Sequence, residues 1–197
     1  MKTTSGEGTA GAGVTGIVLA GGQGRRMGGV DKGLQLLHGK PMVAAVLARL
    51  APQVDEILIN ANQNHAAYAA FGLRVVPDAI GGFAGPLAGL HAGLGEARHA
   101  LVLTVPCDSP FLPADLFSRL FEKLEENDLA VARTGDQPHP VFALVRTSVR
   151  TNLEHFLSGG GRKIDAWYST LKVVEVAFDD VADAFRNINT REELDKA

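Results

Sequence analysis

The amino-acid sequence predicts an α/β fold with a largely parallel central sheet. Short aliphatic runs alternate with helical stretches from Thr15 onward, and no repeat or low-complexity linker interrupts the alternation. Such alternation is typical of strand–helix–strand units, whose crossover helices cover both faces of a sheet. The runs are rich in Val, Ile and Leu, as strands that are buried on both faces must be.

Each element of the first half is predicted from its local pattern. Strands are predicted where aliphatic residues concentrate, at 15–20, 54–60, 73–76 and 100–105. Helices fill the intervals at 41–50, 64–71, 86–97 and 113–126. Pro41 and Pro113 begin two of these helices, where the missing N–H of proline costs little because first-turn N–H groups have no helical partner.

The second half of the chain has a less regular pattern. Strands are predicted at 129–133, 140–146 and 172–176, and helices at 148–157 and 163–169. A last helix is predicted to begin at Thr190, whose side chain can cap it while Glu193 completes a capping box. In open α/β sheets the loops after the carboxyl ends of the strands form the functional site, and we expect the same arrangement here.

The length and composition predict one domain at 15–197, preceded by a flexible tail at 1–14 that is rich in Gly, Thr and Ala. No apolar run approaches the roughly 18–20 residues that cross a bilayer, so no membrane partner is expected. The net charge of −3 gives no basic stripe, and no nucleic acid partner is expected. The single cysteine, Cys107, cannot form an internal disulfide, which agrees with a cytoplasmic location. We interpret it as a small buried residue rather than a nucleophile.

A glycine-rich loop follows the first predicted strand. Residues 19–33 read LAGGQGRRMGGVDKG, in which two arginines and a lysine stand among glycines. Glycine lets backbone N–H groups approach phosphate oxygens, and the cationic side chains neutralise their charge. The Walker pattern fails because Gly33 follows Lys32, and the dinucleotide fingerprint fails because Met27 occupies its third glycine position. A phosphate-binding loop is predicted, with a plain glycine-rich surface loop as the alternative.

The same loop resembles the signature loop of the molybdenum cofactor guanylyltransferases, the MobA family of the nucleotidyltransferases. The likeness lies in LAGG at 19–22, RMG at 26–28 and DK at 31–32, and it extends through most of 15–194. It implies a three-layer, Rossmann-like nucleotidyltransferase fold with a largely parallel central sheet. It also implies that Arg26 and Lys32 act on the phosphates, and that four loop residues bind GTP: Leu19, Ala20, Gly21 and Gly22.

Polar side chains follow three of the predicted strands. Asp108 lies just beyond the strand at 100–105, where a carboxylate suits Mg²⁺ because this ion takes one or two carboxylates together with phosphate oxygens. The resemblance makes Asp108 the Mg²⁺ ligand, a GTP contact and a catalytic residue, whereas the residues alone also allow a turn-forming aspartate. Asn60 and Asp78 end or follow the neighbouring strands. The resemblance implies that they bind GTP, and an amide and a carboxylate suit guanine.

Further segments resemble regions that frame the pterin side of the family's site. They contain His139, Arg162, Asn187 and Asn189. The resemblance implies that Arg162, or Lys163 beside it, holds the attacking phosphate and that Asn189 approaches the metal. His139 is also interpretable as an exposed loop histidine. The segment 81–90 resembles part of the nucleotide pocket, although its glycines also suit close packing.

The function that the resemblance implies is transfer of GMP from GTP to molybdopterin carrying molybdenum, with release of pyrophosphate and formation of molybdopterin guanine dinucleotide. Transient contact with proteins that deliver molybdopterin or mature molybdoenzymes is expected. Two alternatives belong to the same class, a molybdenum cofactor cytidylyltransferase, which commonly has LAAG in place of LAGG, and a sugar-phosphate nucleotidyltransferase. A non-catalytic nucleotide-binding regulator is the alternative from another class, and the joint presence of Arg26, Lys32 and Asp108 argues against it.

Overall fold

The computed structural model describes residues 13–21, 31–80, 85–188 and 193, and within these ranges the chain forms an α/β fold. The strands are β1 (Val14–Leu19), β2 (Leu36–Leu37), β3 (Lys40–Pro41), β4 (Glu56–Asn60), β5 (Arg74–Val76), β6 (Leu101–Pro106), β7 (Leu129–Thr134), β8 (Gln137–Arg146) and β9 (Val173–Ala177). The helices are α1 (Met42–Leu50), α2 (His65–Ala69), α3 (Pro86–Glu96), α4 (Leu116–Leu124), α5 (Arg150–Ser158) and α6 (Ile164–Tyr168). Short 3₁₀ segments lie at Lys32–Leu34, Ala51–Gln53, Thr147–Val149 and Asp179–Phe185.

Among the described residues, seven strands form the central sheet in the order β5-β4-β1-β6-β8-β7-β9. The first four pair in parallel, β8 is antiparallel to β6 and β7, and β9 pairs in parallel with β7. The prediction of a largely parallel sheet is therefore confirmed. From β1 the chain builds β4 and β5 on one side and then crosses to β6 on the other. Ligands bind at such a switch point in open α/β sheets, beyond the carboxyl ends of the strands.

Helices cover both faces of the sheet, which confirms the predicted three layers. On one face, buried residues of α1 and α4 such as Val46 and Leu120 pack with Val18 of β1. On the other face, buried residues of α3 and α5 pack with Ile17, the neighbour of Val18. Successive side chains of a strand point to opposite faces, so a sheet covered on both sides needs apolar residues at nearly every position.

The structure corrects several local predictions. Neither β2 nor β3 was predicted; His38 and Gly39, with φ of 50° and 78°, connect them, and two successive residues at positive φ are typical of a tight hairpin turn. Neither predicted proline begins its helix, because Pro41 lies in β3 and α4 starts at Leu116, three residues after Pro113. Strand β8 begins at Gln137, earlier than predicted. A proline does occupy the first position of α3, at Pro86.

The chain termini lie largely outside the described ranges. Residues 1–12 of the predicted tail are not among the described residues, and Val14 already belongs to β1. The cap predicted at Thr190 also lies outside them, although Glu193 is helical. The extent of a single domain over 15–197 stays a prediction. Within the described ranges, no helix has the length and apolar character that a membrane crossing requires.

Helix α3 lies close against the sheet because its inner face carries glycines. An ideal Cβ on Gly93 would stand 2.1 Å from Ile17 Cδ1, and one on Gly89 would stand 2.2 Å from Asn60 Oδ1. Both distances are too short for a real methyl group, so close packing explains Gly89. This contact brings the first turn of α3, at Pro86, to the same edge of the sheet as Asn60.

We expect Gly93→Ala to lower the free energy of unfolding by about 1–3 kcal/mol, because the added methyl must displace either the fully buried Ile17 side chain or α3 itself. Gly95→Ala on the same helix is the matched control. Its methyl would meet only the guanidinium of Arg150, at 3.1 Å, and alanine favours a helix over glycine by about 1 kcal/mol. Denaturant unfolding of both variants measures the difference. Equal stability of the two variants would contradict the close contact of α3 with β1.

Candidate functional site

The carboxyl ends of β1, β4 and β6 lie level at one edge of the sheet. Leu19 pairs with Asn60 on one side and with Pro106 on the other. Backbone hydrogen bonds continue past the strands, from Ala20 N to Asn60 O at 2.8 Å and from Cys107 N to Leu19 O at 3.2 Å. The residues that follow these strands are therefore held beside one another, as the sequence predicted.

Lys32 and Asp108 form an ion pair at this edge. Lys32 Nζ lies 3.1 Å from Asp108 Oδ2, across 76 residues of sequence. Their side chains are 27% and 11% exposed, respectively, so the pair is partly shielded from solvent and is stronger than an ordinary surface pair. The structure thus brings together two of the three residues that were predicted to be catalytic. The third, Arg26, lies outside the described residues, as do Gly22 and Asn189.

The segment at residues 187–188 also forms hydrogen bonds with the chain at Asp108 and Ser109. Ile188 N donates to the backbone oxygen of Asp108 at 2.9 Å. The hydroxyl of Ser109, which is fully buried, donates to Asn187 Oδ1. Asn187, which was predicted on the pterin side, therefore lies next to the Asp108 backbone.

The side chains at this edge fit a magnesium ion, which needs few protein ligands, better than they fit a metal that takes all of its ligands from the protein. No group of three or more His, Cys, Asp and Glu side chains able to hold a metal occurs among the described residues. Asp108 offers one carboxylate, whose Oδ2 faces the Lys32 ammonium. Mg²⁺ takes few carboxylates and completes its shell with water and phosphate oxygens, so a single aspartate suits it.

Asn60 and Asp78, both predicted to bind the nucleotide, belong to a network with Asn62. Asn60 Nδ2 donates to Asp78 Oδ1 at 2.9 Å and to Val76 O at 3.1 Å. Asn62 Nδ2 donates to Asp78 Oδ2 at 2.8 Å, and its Oδ1 accepts from Asp78 N at 2.9 Å. Two amides therefore hold the Asp78 carboxylate by both oxygens, which fixes its orientation.

Sequence reasoning missed Asn62. The signal was present as Asn60-Ala61-Asn62 at the end of β4, because residues two apart along an extended chain project to the same side. Asn60 itself is only 2% exposed and uses its amide N–H groups within the protein. Its direct contact with guanine stays a prediction, whereas its support of Asp78 is visible in the structure.

Gly21 lies against this amide network. An ideal Cβ on Gly21 would stand 2.9 Å from Asn60 Oδ1 and 3.0 Å from Asn62 Nδ2. Asn62 Nδ2 also lies 3.5 Å from the backbone oxygen of Gly21. Glycine is therefore needed here because the loop backbone rests directly on the side chains that orient Asp78.

The residues predicted on the pterin side are used in different ways. Arg162 Nη1 donates to Leu157 O at 2.8 Å and to Gly161 O at 2.6 Å, so its guanidinium satisfies carbonyls at the end of α5. His139 is half-buried in β8 and stacks on Phe185 at 4.6 Å between ring centroids. The alternative of an exposed loop histidine is therefore wrong. Burial lowers the pKa of His139, which favours the neutral ring at pH 7.

Cys107 is buried, as the sequence indicated. Burial raises the pKa of its thiol, and the neighbouring Asp108 and Asp31 carboxylates raise it further, while Lys32 lowers it by a smaller amount. The thiol is therefore protonated at neutral pH and is a poor nucleophile. Its use is packing, since it lies 3.1 Å from an ideal Cβ on Gly33.

Comparisons with known proteins agree on one family. Residues 16–173 match the family model described as a MobA-like NTP transferase domain. A protein named molybdenum cofactor guanylyltransferase from Cupriavidus necator is 52% identical over 92% of this chain and 94% of its own length. One of the same name from Shewanella putrefaciens is 50% identical over 90% and 92%. The crystal structure of molybdopterin-guanine dinucleotide biosynthesis protein A from Archaeoglobus fulgidus has a TM-score of 0.75, with 26% identity over 92% of this chain and 95% of that chain.

We expect a maleimide to label Cys107 in the native protein far more slowly than in the denatured protein. A free thiol is half ionised near pH ~8.5, and the raised pKa moves ionisation of Cys107 above that value. Raising the pH from about 7 to about 8.5 should therefore speed labelling of the denatured chain much more than that of the native chain. Mass spectrometry of the intact protein measures both rates. Rapid native labelling with the pH dependence of an ordinary thiol would contradict the buried, protonated state.

Proposed function

The chain belongs to the MobA-like NTP transferase family, and we propose that it is a molybdenum cofactor guanylyltransferase. The reaction joins a phosphate oxygen of molybdopterin, which carries molybdenum, to the α-phosphorus of GTP. The bond from that phosphorus to the oxygen that bridges the α- and β-phosphates breaks, and pyrophosphate leaves with the electron pair. The Lys32–Asp108 pair at the carboxyl ends of β1 and β6 carries the proposal. Relatives of that name at 50–52% identity support it.

Lys32 supplies positive charge to the phosphates. The attacking phosphate monoester is already anionic near neutral pH, so the reaction needs no general base and depends on positioning and charge stabilisation. Negative charge grows on the departing pyrophosphate, and a fixed ammonium group stabilises it. Lys32 is held at the site by its contact with Asp108 before any nucleotide arrives. Arg26 is proposed for the same role from the loop.

Asp108 is the residue that would hold Mg²⁺. When bound, this ion neutralises phosphate charge and orients the oxygens of the triphosphate. In the structure the charges of Asp108 and Lys32 compensate each other. When GTP and Mg²⁺ bind, the triphosphate would become the anionic partner of Lys32, and Mg²⁺ would become the cationic partner of Asp108. Neither partly buried charge would then be left without a partner.

Asp78 is the group that we propose to read the base. Guanine presents N1–H and an exocyclic amine as donors, and a carboxylate accepts from both. Asn60 and Asn62 hold the two oxygens of Asp78, so the acceptor is oriented before the base binds. We propose that Asn60 acts mainly through Asp78, and that Leu19, Ala20, Gly21 and Gly22 contact the nucleotide with their backbones.

The acceptor molybdopterin is proposed to bind near Asn187 and His139, on the side of Asp108 away from β4. Arg162 is proposed to face the acceptor phosphate with those guanidinium N–H groups that do not donate to Leu157 O or Gly161 O. Asn189 is proposed to approach the metal. Transient contact with proteins that deliver molybdopterin or mature molybdoenzymes is proposed as well, together with a cytoplasmic location. Neither a nucleic acid nor a membrane is needed for the reaction.

The decisive experiment is release of pyrophosphate from each of the four nucleoside triphosphates in the presence of Mg²⁺ and molybdopterin. We expect release with GTP and formation of the guanine dinucleotide. Release mainly with CTP would favour the cytidylyltransferase alternative, and release with a sugar phosphate as acceptor would favour the sugar-phosphate alternative. Binding of GTP without release under any of these conditions would favour a non-catalytic regulator.

We expect Asp108→Asn to lower kcat by roughly a hundredfold or more at saturating Mg²⁺, because an amide cannot replace the anionic oxygen that holds the ion. Asp180→Asn is the matched control, since Asp180 pairs with Arg119 on α4 at 2.8 Å. Thermal unfolding of both variants should show that each is folded. Turnover of Asp108→Asn within about threefold of the unmodified protein would contradict the role of Asp108.

We expect Gly21→Ala to shift the preference from GTP toward CTP, measured as the ratio of kcat/KM, by roughly five- to a hundredfold. The methyl group would displace the Asn60 and Asn62 amides that orient Asp78. Asn62→Ala removes one of these amides without altering the loop, so it should shift the ratio in the same direction. If Asn62→Ala leaves the ratio unchanged while Gly21→Ala shifts it, the methyl acts on the base directly. An unchanged ratio in both folded variants would place base selection elsewhere.

A further inference from the structure

Asp31, the residue before Lys32, is fastened to helix α2 by both of its carboxylate oxygens. The Tyr68 hydroxyl donates to Asp31 Oδ1 at 2.5 Å, across 37 residues of sequence. Asn64 Nδ2 donates to Asp31 Oδ2 at 3.0 Å. Tyr68 is fully buried inside α2, and Asn64 is the residue that precedes this helix. The C-terminal end of the glycine-rich loop is therefore hydrogen-bonded to α2 and to the residue before it.

Gly33, the residue after Lys32, rests on the same tyrosine. An ideal Cβ on Gly33 would stand 2.6 Å from the Tyr68 hydroxyl oxygen and 3.1 Å from Cys107 Cβ. The backbone also turns here, with Gln35 N donating to Lys32 O at 3.1 Å. The chain on both sides of Lys32 thus contacts the Tyr68 hydroxyl, on one side by a hydrogen bond and on the other by packing.

In the proposed reaction, this arrangement would keep the ammonium group of Lys32 in place. The lysine ammonium is a point charge at the end of a flexible four-carbon stem. A charge stabilises a transition state best when it is in place beforehand, because no reorganisation is then needed during the reaction. Lys32 reaches Asp108 at 3.1 Å from a backbone that Asp31 and Tyr68 hold. Burial raises the pKa of Tyr68, so its hydroxyl remains a neutral donor throughout the working pH range.

We propose that Asp31 and Tyr68 are positioning residues for Lys32, and that they set the rate of GMP transfer without touching the nucleotide. They fix the backbone from which the ammonium reaches both Asp108 and the triphosphate. Asn64 assists by holding the second oxygen of Asp31. This inference rests on the proposed function, since it concerns the part that Lys32 plays in the transfer.

The first test is Tyr68→Phe, which removes one oxygen and leaves the ring in the core. We expect kcat to fall roughly five- to thirtyfold, because a misplaced catalytic charge costs rate, while the affinity for GTP changes less than about twofold. In a Lys32→Ala background the same substitution should have no further effect on kcat, because there is no ammonium left to position. An equal loss in both backgrounds would overturn the proposal, since it would mean that Tyr68 acts independently of Lys32.

Two further variants separate positioning from general loss of stability. Thr15→Val is the matched control. Thr15 is fully buried, and its hydroxyl donates to the Glu56 carboxylate at 2.8 Å near the amino ends of β1 and β4, away from the site. This substitution should lower the melting temperature without lowering kcat. Asp31→Asn keeps an acceptor for the Tyr68 hydroxyl and should retain most of the turnover, whereas Asp31→Ala should lose as much as Tyr68→Phe. Equal losses in the two Asp31 variants would argue against positioning by this hydrogen bond.

A readout that does not depend on turnover distinguishes failure of this inference from failure of the proposed function. Acetic anhydride labels lysines, and peptide mass spectrometry gives the rate at each one. Lys32 should react several-fold faster in Tyr68→Phe than in the unmodified protein, while Lys123, whose side chain is 55% exposed, reacts equally in both. If Lys32 responds but the protein transfers no GMP, positioning stands and the proposed function fails. If GMP is transferred and neither labelling nor kcat responds, positioning alone fails.

Discussion

The parallel pairing of β1 with β4 on one side and with β6 on the other is the constraint on which the site depends. Leu19 is level with both Asn60 and Pro106, so three loops leave the sheet at one edge. A slip of one residue in either pairing would turn the side chains of the moved strand to the opposite face. Such a slip of β1 would take Ile17 away from Gly93 of α3, so close packing favours this register, and the register places Asp108 beside the loop that carries Lys32.

Close packing at glycines brings polar groups of this edge together. The absence of a Cβ on Gly21, Gly33 and Gly89 lets backbone lie directly on Asn60, Asn62, Tyr68 and Cys107. The glycine-rich loop thus has two separable uses for glycine. Some positions are predicted from the loop pattern to let phosphates approach. Others, Gly21 and Gly33, let the loop pack against the side chains that orient Asp78 and Asp31, and Gly89 does the same for α3 and Asn60.

The polar side chains at the edge are held in pairs and networks rather than singly. Lys32 pairs with Asp108, two amides hold Asp78, and a hydroxyl and an amide hold Asp31. The bond from Asn64 to Asp31 is exposed to solvent, whereas the other bonds are partly buried. Removing a partner from one of the partly buried bonds would leave a polar group unsatisfied, which costs about 1–3 kcal/mol. The residues that contact the nucleotide in the proposed reaction are therefore held in position by neighbouring residues that do not contact it. In the proposed reaction, a substitution at such a neighbour would alter the rate or the base choice without changing a residue that contacts the nucleotide.

The sequence by itself determined the fold class, the order of the main elements and the edge of the sheet at which the polar residues collect. It could do so because periodicity, strand composition and turn residues are local, and because parallel strands must end at a common edge. It did not reveal the hydrogen bonds from Asn62 to Asp78 and from Tyr68 to Asp31. These bonds join residues that are 16 and 37 positions apart, and no local pattern shows which two residues pair. Only the packing of α2 and β5 against β4 and the loop decided them, because the partner of a buried polar group is set by which elements meet in space.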